Sequence, residues 1–525
     1  MTGTSPTVER DPSEPKAPRV SLWKRIRVAV GLLAGLRGPD IQAAGVYVKA
    51  RYPGESFLVK WCRFVGWALG QLFVAIPEAD HCLTIGAAVS TTPMWLLDAN
   101  PLANHPWRDK PAAALPAEVD TVVIGAGFTG GALAYHWSKK APAQRRMVVL
   151  EMDDPASGSS GRNEGLVVMG RYYKMVYETV LSRLASVRDD LTAPERDRLA
   201  KQFAYRYCQA AYRNADLIER TIEAENFDCD YVRAGWVQAR TGEEQPALAA
   251  SAEMARASGC TDWVRITPRE VFERSGMRVA HDAGFSVAAA SWHPAKWVWC
   301  LLASALGGPN VQLFTHTRVS RVHDEGERYV VATERGAIRA RHVVYATESY
   351  TPHIERKLHG AILPVQEQAA SGDGGPKSMK PHVGISGAWF FTGRYGRRVL
   401  FGSGGPVVAD HQAGQNRPSR FLTRFVAAEL KRCFGPHRLH MRNEWSGTVG
   451  YTPDEFPIVG LLDGKGRYMI GGMCGSGSGV SLNAGRCIVN RILGLTSEPD
   501  DYPPAYFAPS RLLAPQDHPW PEIEK

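Results

Sequence analysis

Residues Asp120 to Gly131 read DTVVIGAGFTGG, and a second apolar run ending in an acid follows at Met147 to Glu151. Residues of these types at this spacing bind a nucleotide. Gly125, Gly127 and Gly130 make a G-x-G-x-x-G turn, with Phe128 and Thr129 at its variable places. The first glycine permits the tight turn, and the second lets the backbone approach a pyrophosphate at a helix N-terminus. The third lets helix and strand pack closely. Glu151, ~20 residues on, can accept hydrogen bonds from ribose hydroxyls. For this to work, Val122 to Ile124 must be a buried parallel strand and Ala132 to Lys139 the start of a crossover helix. A glycine triplet alone would mark only a turn; strand, helix and acid in register make it a nucleotide site.

Further elements repeat this alternation. Thr192-Ala193-Pro194-Glu195 has the form of a capped helix start, and Glu195 to Glu225 places Phe203, Tyr207, Ala210, Ala211 and Leu217 at helical spacing. Tyr231 to Ala239 alternates like a strand. Leu313 to Ala340 reads as strands with a hairpin, feeding a buried strand at His342 to Thr347. Gly387 to Gly402 predicts a hairpin turning at Tyr395-Gly396, Arg467 to Gly472 a last strand, and Gly477 to Leu493 a last helix. The pattern is α/β: a Rossmann-like nucleotide-binding domain (residues 116–170, 285–363 and 441–495) interleaved with an α+β substrate domain (171–284 and 364–440). A proline-rich tail, 496–525, is expected to wrap the surface.

At 525 residues the chain is long enough for two or three domains. Its net charge of +9 is uneven: residues 1–60 carry ten Lys/Arg against five Asp/Glu. The remainder is only mildly basic, which argues against a nucleic-acid groove. Nine cysteines without C-x-x-C or metal-type spacing fit a reducing, cytoplasmic setting and give no metal site. Residues 1–115 form an extension and linker, polar at first and then helical. A basic segment, Trp23-Lys24-Arg25-Ile26-Arg27, precedes an apolar stretch, Val28 to Leu36, and a second apolar stretch, Phe64 to Ile76, follows Lys60 and Arg63 with Trp61 and Trp67 beside it. Two readings stay open there: helices packed on the body, or helices lying peripherally on a membrane surface.

Several stretches together resemble FAD-dependent amine and amino-acid oxidases of the D-amino-acid oxidase superfamily, and most of all the gamma-glutamylputrescine oxidase branch. Ala156 to Gly165, ASGSSGRNEG, resembles that family's ASG-x-(S/T)-GRN-G-G segment. His293-Pro294, Val343 to Thr347 and Pro364-Val365-Gln366 follow in the family's order. Trp445 to Asp454 resembles its W-x-G-x-x-x-x-TPD signature, and Gly472 to Gly477 its G-x-S-G-H-G turn. The resemblance covers about Thr91 to Leu495 and implies FAD. It assigns the pyrophosphate to Gly125, Gly127 and Gly130 and the ribose to Glu151. Ser157, Gly158, Gly161, Arg162, Asn163 and Gly165 then line the cofactor, with Val319, Thr347, Gly472, Cys474, Gly475, Ser476 and Gly477. Arg162 either pairs with phosphate or fixes its loop. A backbone turn aimed at the flavin would stabilise the charge that appears on reduction.

Departures from the pattern are informative. Ser476 stands for a usual His, and Glu164 for a usual Gly. Gly447 occupies the place of the flavin-attaching Cys of covalent relatives, so FAD is expected to be non-covalent. Gly479 stands where sarcosine-oxidising relatives carry a carboxylate-binding Lys.

The expected activity is oxidation of an amine or amino-acid C–N bond by hydride transfer to flavin N5, giving an imine that hydrolyses. Oxygen is the expected acceptor, with peroxide formed; a membrane-associated dehydrogenase reducing quinone is the second reading, and a silent flavin-binding partner protein the third. Substrate-site candidates are Glu164, to hold a substrate cation or bias its protonation, and Arg171 with Tyr172 or Tyr173, to bind a carboxylate. Trp389 and Phe391 are read as an aromatic lid or as core. His293 is read as structural.

Overall fold

The computed structural model describes residues 20–35, 41, 54–80, 83–103, 114–239, 245–260, 263–387, 390–405, 408–498 and 501–524. Helices α1 (Leu22–Gly35) and α2 (Phe57–Gly70) come first. The first βαβ unit is β1 (Glu118–Ile124), α3 (Phe128–Lys140) and β2 (Met147–Leu150). A long helix, α4 (Ala193–Glu225), precedes α5 (Pro294–Leu306), β3 (Val311–Phe314) and β4 (Gly336–Tyr345). The chain then makes β5 (Leu363–Gly374), the hairpin β6 (Phe391–Tyr395) and β7 (Arg398–Ser403), α6 (Arg420–Phe434), β8 (Leu439–Tyr451), β9 (Arg467–Gly471) and α7 (Ser481–Leu493).

Five parallel strands form the nucleotide-type sheet, in the order β3-β2-β1-β4-β9. Val122, Val123, Val148 and Val149 are fully buried, as a parallel strand covered on both faces requires. An antiparallel meander, Val319–Asp324, Tyr329–Thr333 and the first half of β4, extends one side. Helix α3 lies between α5 and α7, and small residues set that spacing. A Cβ on Gly485 would come within 2.9 Å of Ala132, and one on Gly131 within 3.5 Å of Leu301.

The second sheet has nine described strands and centres on β8, β5, β7 and β6. Its far face is covered by α6 through Phe425, Val426 and Leu430. Besides its helices, the N-terminal extension contributes an edge strand, Leu83–Ser90, parallel to β8. It also buries Met94 and Trp95 in the main core.

Helix α4 starts with the Thr192–Glu195 capping box, and Phe203, Tyr207, Ala210 and Ala211 are buried on one face. The strand expected over Tyr231–Ala239 is shorter, Trp236–Gln238, because Asp230 and Gly235 take positive φ and Val232 pairs separately with Ser291. The tail differs more. Tyr502, Phe507 and Arg511 are all buried, so it completes the core rather than wrapping the surface.

Candidate active site

Gly125 follows β1 with φ +104 and donates its N–H to Leu150 O at 2.8 Å. A Cβ there would lie 2.6 Å from Ala346 O, and a Cβ on Gly130 only 1.9 Å from Gly125 O. Neither backbone neighbour can yield. Gly127, the N-cap of α3, faces a softer obstacle, the Ser160 hydroxyl at 2.6 Å. That hydroxyl accepts the Phe128 N–H at 2.9 Å. The Phe128 ring packs on Trp292, and the Thr129 hydroxyl meets Ser481 on α7.

Glu151 accepts the Ala126 N–H at 2.8 Å and the Asp153 N–H at 3.0 Å. Burial raises its pKa, partly opposed by those two donors. Thr317 donates its N–H to Glu151 O, which brings the strand beginning at Val319 alongside. Thr347 lies beside Gly125 on the other flank. These groups gather outside the carboxyl ends of the parallel strands, where open α/β sheets bind ligands.

The Ala156–Gly165 loop holds itself in shape. Asn163 Nδ2 donates to Ser160 O at 2.8 Å, and its Oδ1 accepts the Gly165 N–H at 2.8 Å. Arg162 donates Nε to Ser157 O (2.8 Å) and Nη1 to Ser446 O (3.2 Å), so its guanidinium ties the loop to β8. The Arg162 stem lies over Gly447, 3.2 Å from where a Cβ would stand. Gly161 permits the tight return past Ala156 O, 2.3 Å from its Cβ position. Beside Gly158, the backbone is open: among the described residues, none other than its chain neighbours comes within 4 Å of a Cβ built there.

The second sheet turns one face toward this loop, and strand alternation decides which side chains point there. Glu367 pairs with Gly447, Ala369 with Trp445, and Leu363 with Tyr451, so all six share that face. Tyr451 donates its hydroxyl to Glu367 Oε1 at 3.1 Å. Tyr395, at the end of β6, donates to Glu164 O at 2.6 Å and Gly165 O at 3.1 Å, and stacks edge-on against Trp95. Phe391 lies over Gly402, whose missing side chain makes room for the ring.

Three half-buried carboxyl groups meet here. Burial, reinforced by the Glu367 charge, lifts Glu164 to about 7. Burial lifts Glu367 itself to about 6, against the hydrogen bond from Tyr451. Glu348 is also lifted by burial to about 7; the Met473 and Gly450 N–H groups oppose this and the Glu367 charge adds to it. Glu348 takes φ +50 at the tip of β4 and accepts those two N–H groups at 2.7 and 2.8 Å. It thereby pins the C-terminal glycine turn to β8.

That turn runs from Gly472 (φ +59) through Cys474 (φ +52) and Gly475 (φ +81) to Ser476, which precedes the 3-10 turn Gly477–Gly479. Cys474 donates its N–H to Gly450 O, and burial pushes its thiol up to about 12, leaving it unreactive. At Gly475 a Cβ would meet the Tyr451 hydroxyl at 3.3 Å.

The family model for FAD dependent oxidoreductases, DAO, matches residues 120–491. The chain belongs to the DAO family of FAD-dependent oxidoreductases. It is 21% identical over 393 residues to the probable oxidoreductase OrdL of Haemophilus influenzae, covering 71% of this chain and 83% of that one. Among solved structures, glycine oxidase from Geobacillus kaustophilus superposes with a TM-score of 0.59 at 17% identity, over 75% of this chain and 98% of that one. L-proline dehydrogenase from P. horikoshii gives 0.60 at 19%, over 76% and 98%. L-amino acid deaminase from Proteus vulgaris gives 0.58 at 19%, over 75% and 94%. These likenesses show the DAO fold.

The groups present fit FAD. Backbone closes the Cβ positions of Gly125 and Gly130, an acid stands at the end of β2, and the backbone at Gly158 and Gly475 is open to a flat ligand. The structure brings Glu164 and Phe391 to the face that carries Glu367. Arg171 pairs with Glu455 at 2.5 Å, and its electrostatic reach includes Tyr451 and Cys474. Tyr172 goes elsewhere, into a separate cluster with Leu248 and Trp263, and its hydroxyl donates to Gln238. The helix start at Tyr173 turns it away from the loop that it follows. Trp389 lies outside the described residues. Glu348 and Glu367 were missed by the sequence reading, each standing one place beyond a motif, Val343–Thr347 and Pro364–Gln366.

Proposed function

We propose that this enzyme oxidises the C–N bond of a cationic amine or amino acid, and that FAD is held non-covalently. The glycine turn after β1 and Glu151 would hold the adenosine and pyrophosphate; the loop Ser157–Gly165 and the turn Gly472–Gly477 would hold the flavin end. Bound FAD supplies the two-electron acceptor for the substrate's carbon–nitrogen bond. The observation that carries this reading is the carboxyl cluster of Glu164, Glu348 and Glu367.

An ammonium group entering beside Glu164 and Glu367 meets negative charge in a poorly hydrated place, which favours its binding. An amine must lose a proton before its α C–H bond becomes a good donor. Carboxylates lifted to about 6 and 7 are matched to take that proton near neutral pH. Tyr395 fixes the backbone of Glu164, and Tyr451 orients Glu367. Phe391 and Trp95 supply apolar walls that exclude water. Arg171, with Glu455 as its ion partner, is the cation on hand for a substrate carboxylate. Gly479 is not a place for one, because a Cβ there would lie 2.1 Å from Val168 O.

The relatives named as oxidases, dehydrogenase and deaminase act on amino acids, in keeping with this class of substrate. Anaerobic mixing of the FAD-loaded enzyme with a panel of amines and amino acids tests it. Bleaching of the flavin by cationic amines is expected. A flavin that stays oxidised with every amine, yet bleaches with a 2-hydroxy acid, would overturn the reading. Oxygen is the proposed acceptor: peroxide formed in step with turnover supports it, whereas quinone or dye reduction without peroxide assigns a dehydrogenase.

A further inference from the structure

Helix α2 does not stop at Gly70. A π-helical turn, Gln71–Ala75, and a last turn, Ile76–Ala79, extend it into one helix of 23 residues from Phe57 to Ala79, which holds an 18-residue stretch of mean hydropathy 1.2. Its two halves have opposite surroundings. The inboard half buries Leu72, Ile76, Pro77 and Ala79, and Leu72 and Ile76 cluster with Ala29 and Leu32 of α1 and Phe421 of α6. Polar ties fasten it there: Arg25 reaches Glu78 at 2.8 Å, and Arg424 reaches Asp80 at 3.2 Å. Along Phe57–Gly70, in contrast, no residue is buried.

The outboard half is apolar all the same. Phe57 is 83% exposed, Leu58 69% and Trp61 56%, and Trp23 of α1 is 82% exposed. A rigidly fastened apolar surface of this kind needs a partner. Its charges say which. Among the described residues 20–35 and 54–79 stand Lys24, Arg25, Arg27, Lys60 and Arg63 against two acids, Glu55 and Glu78, of which Glu55 pairs with Arg63 and Glu78 with Arg25, leaving a net basic face. Basic residues in the same turns as tryptophans and leucines are complementary to phosphate headgroups above acyl chains. Lys60 and Arg63 interrupt the outboard half within its first two turns, which suits a helix lying in the interface rather than crossing it.

We infer that helices α1 and α2 dock the enzyme on the surface of an anionic phospholipid bilayer, with Phe57, Leu58, Trp61 and Trp23 entering the headgroup region. The inboard half then acts as a fixed strut to α6 and the second sheet. This holds whatever the substrate, because it rests on residues outside the carboxyl cluster.

The test is co-sedimentation of the full-length, FAD-loaded protein with vesicles of phosphatidylcholine alone and with 30% phosphatidylglycerol. Binding to the anionic vesicles is expected, falling as salt is raised, and released by alkaline carbonate. The triple variant F57S/L58S/W61S should bind at least tenfold more weakly at unchanged flavin content and melting temperature. Equal binding by this variant, or no binding by the parent protein, would overturn the inference. So would resistance to carbonate, which means a spanning helix. A dimer that binds no vesicles and is split by the variant would assign the surface to a second copy instead.

Discussion

The Arg511 guanidinium forks onto the Asp454 carboxylate, Nε to Oδ2 at 2.7 Å and Nη2 to Oδ1 at 3.1 Å, with Arg511 1% and Asp454 9% exposed. Arg511 also donates to Phe456 O and Phe507 O. A residue of the C-terminal tail thus clamps the TPD turn between β8 and β9. Thr452 of that turn donates to Asp454 Oδ1 and touches both Gly472 and Cys474. Arg511→Ala leaves a buried carboxylate unpaired and should cost about 3–5 kcal/mol. A urea midpoint measures this, and flavin retained after gel filtration should fall with it. Despite burial, Arg511 holds the Asp454 carboxyl below its ordinary range. The pair's contribution is therefore full above pH ~4 and lost as pH falls further, so the gap between parent and variant should narrow in acid.

The pH dependence of Glu164 has the opposite sign. Its carboxyl is raised to about 7, so the folded state holds a proton that the unfolded chain releases. Stability should fall as pH rises from ~4.3 toward 7. Glu164→Gln removes this, and the variant should melt higher than the parent at pH 8, by on the order of 1–3 kcal/mol, with little difference at pH 4. In stopped-flow reduction of the flavin, the variant should also lose the inflection near 7 and react ~10²-fold more slowly. An unchanged pH profile would remove Glu164 from the proton path.

The glycine turn predicts a ranked series. Gly130→Ala and Gly125→Ala drive a methyl into backbone oxygens and should yield protein without flavin. Gly127→Ala meets only the movable Ser160 hydroxyl and should keep FAD at reduced affinity. Gly158→Ala meets none of the described residues beyond its chain neighbours and should keep the fold, with any loss confined to cofactor affinity. The ratio of flavin to protein absorbance reads all four.

Precipitation with trichloroacetic acid should release the whole of the yellow colour into the supernatant. The Cβ position at Gly447 is backed by the Arg162 stem at 3.2 Å, and no thiol stands there to bond a flavin. Colour retained in the pellet would show a covalent link elsewhere.

What the sequence made legible was whatever is encoded locally. The β1–α3–β2 unit, the capping box at Thr192 and the hairpin at Tyr395-Gly396 each depend on residues within a few places of one another, and all appear in the structure. The carboxyl cluster was not legible beyond Glu164. Glu348 and Glu367 sit on different strands and acquire their character from burial and from each other. Only the pairing of β5 with β8 puts Glu367 on the same face as Tyr451. Tyr172 failed for the converse reason: nearness in sequence to the Arg162 loop did not survive the turn into the next helix. The tail's role depended on a contact between residues 454 and 511, which no spacing rule anticipates.

The order of strands in the parallel sheet sets a timetable for synthesis. Its central strand, β1, leaves the ribosome about 350 residues before the outermost parallel strand, β9, a delay on the order of 20–70 s at roughly 5–20 residues per second. During that interval the glycine turn exists without the C-terminal turn that faces it, and the tail that clamps the TPD segment comes later still. Cofactor capture is therefore a closing event of biogenesis. A ribosome stalled short of Arg511 would carry a nascent chain that has both glycine turns and still lacks the clamp that holds the TPD segment.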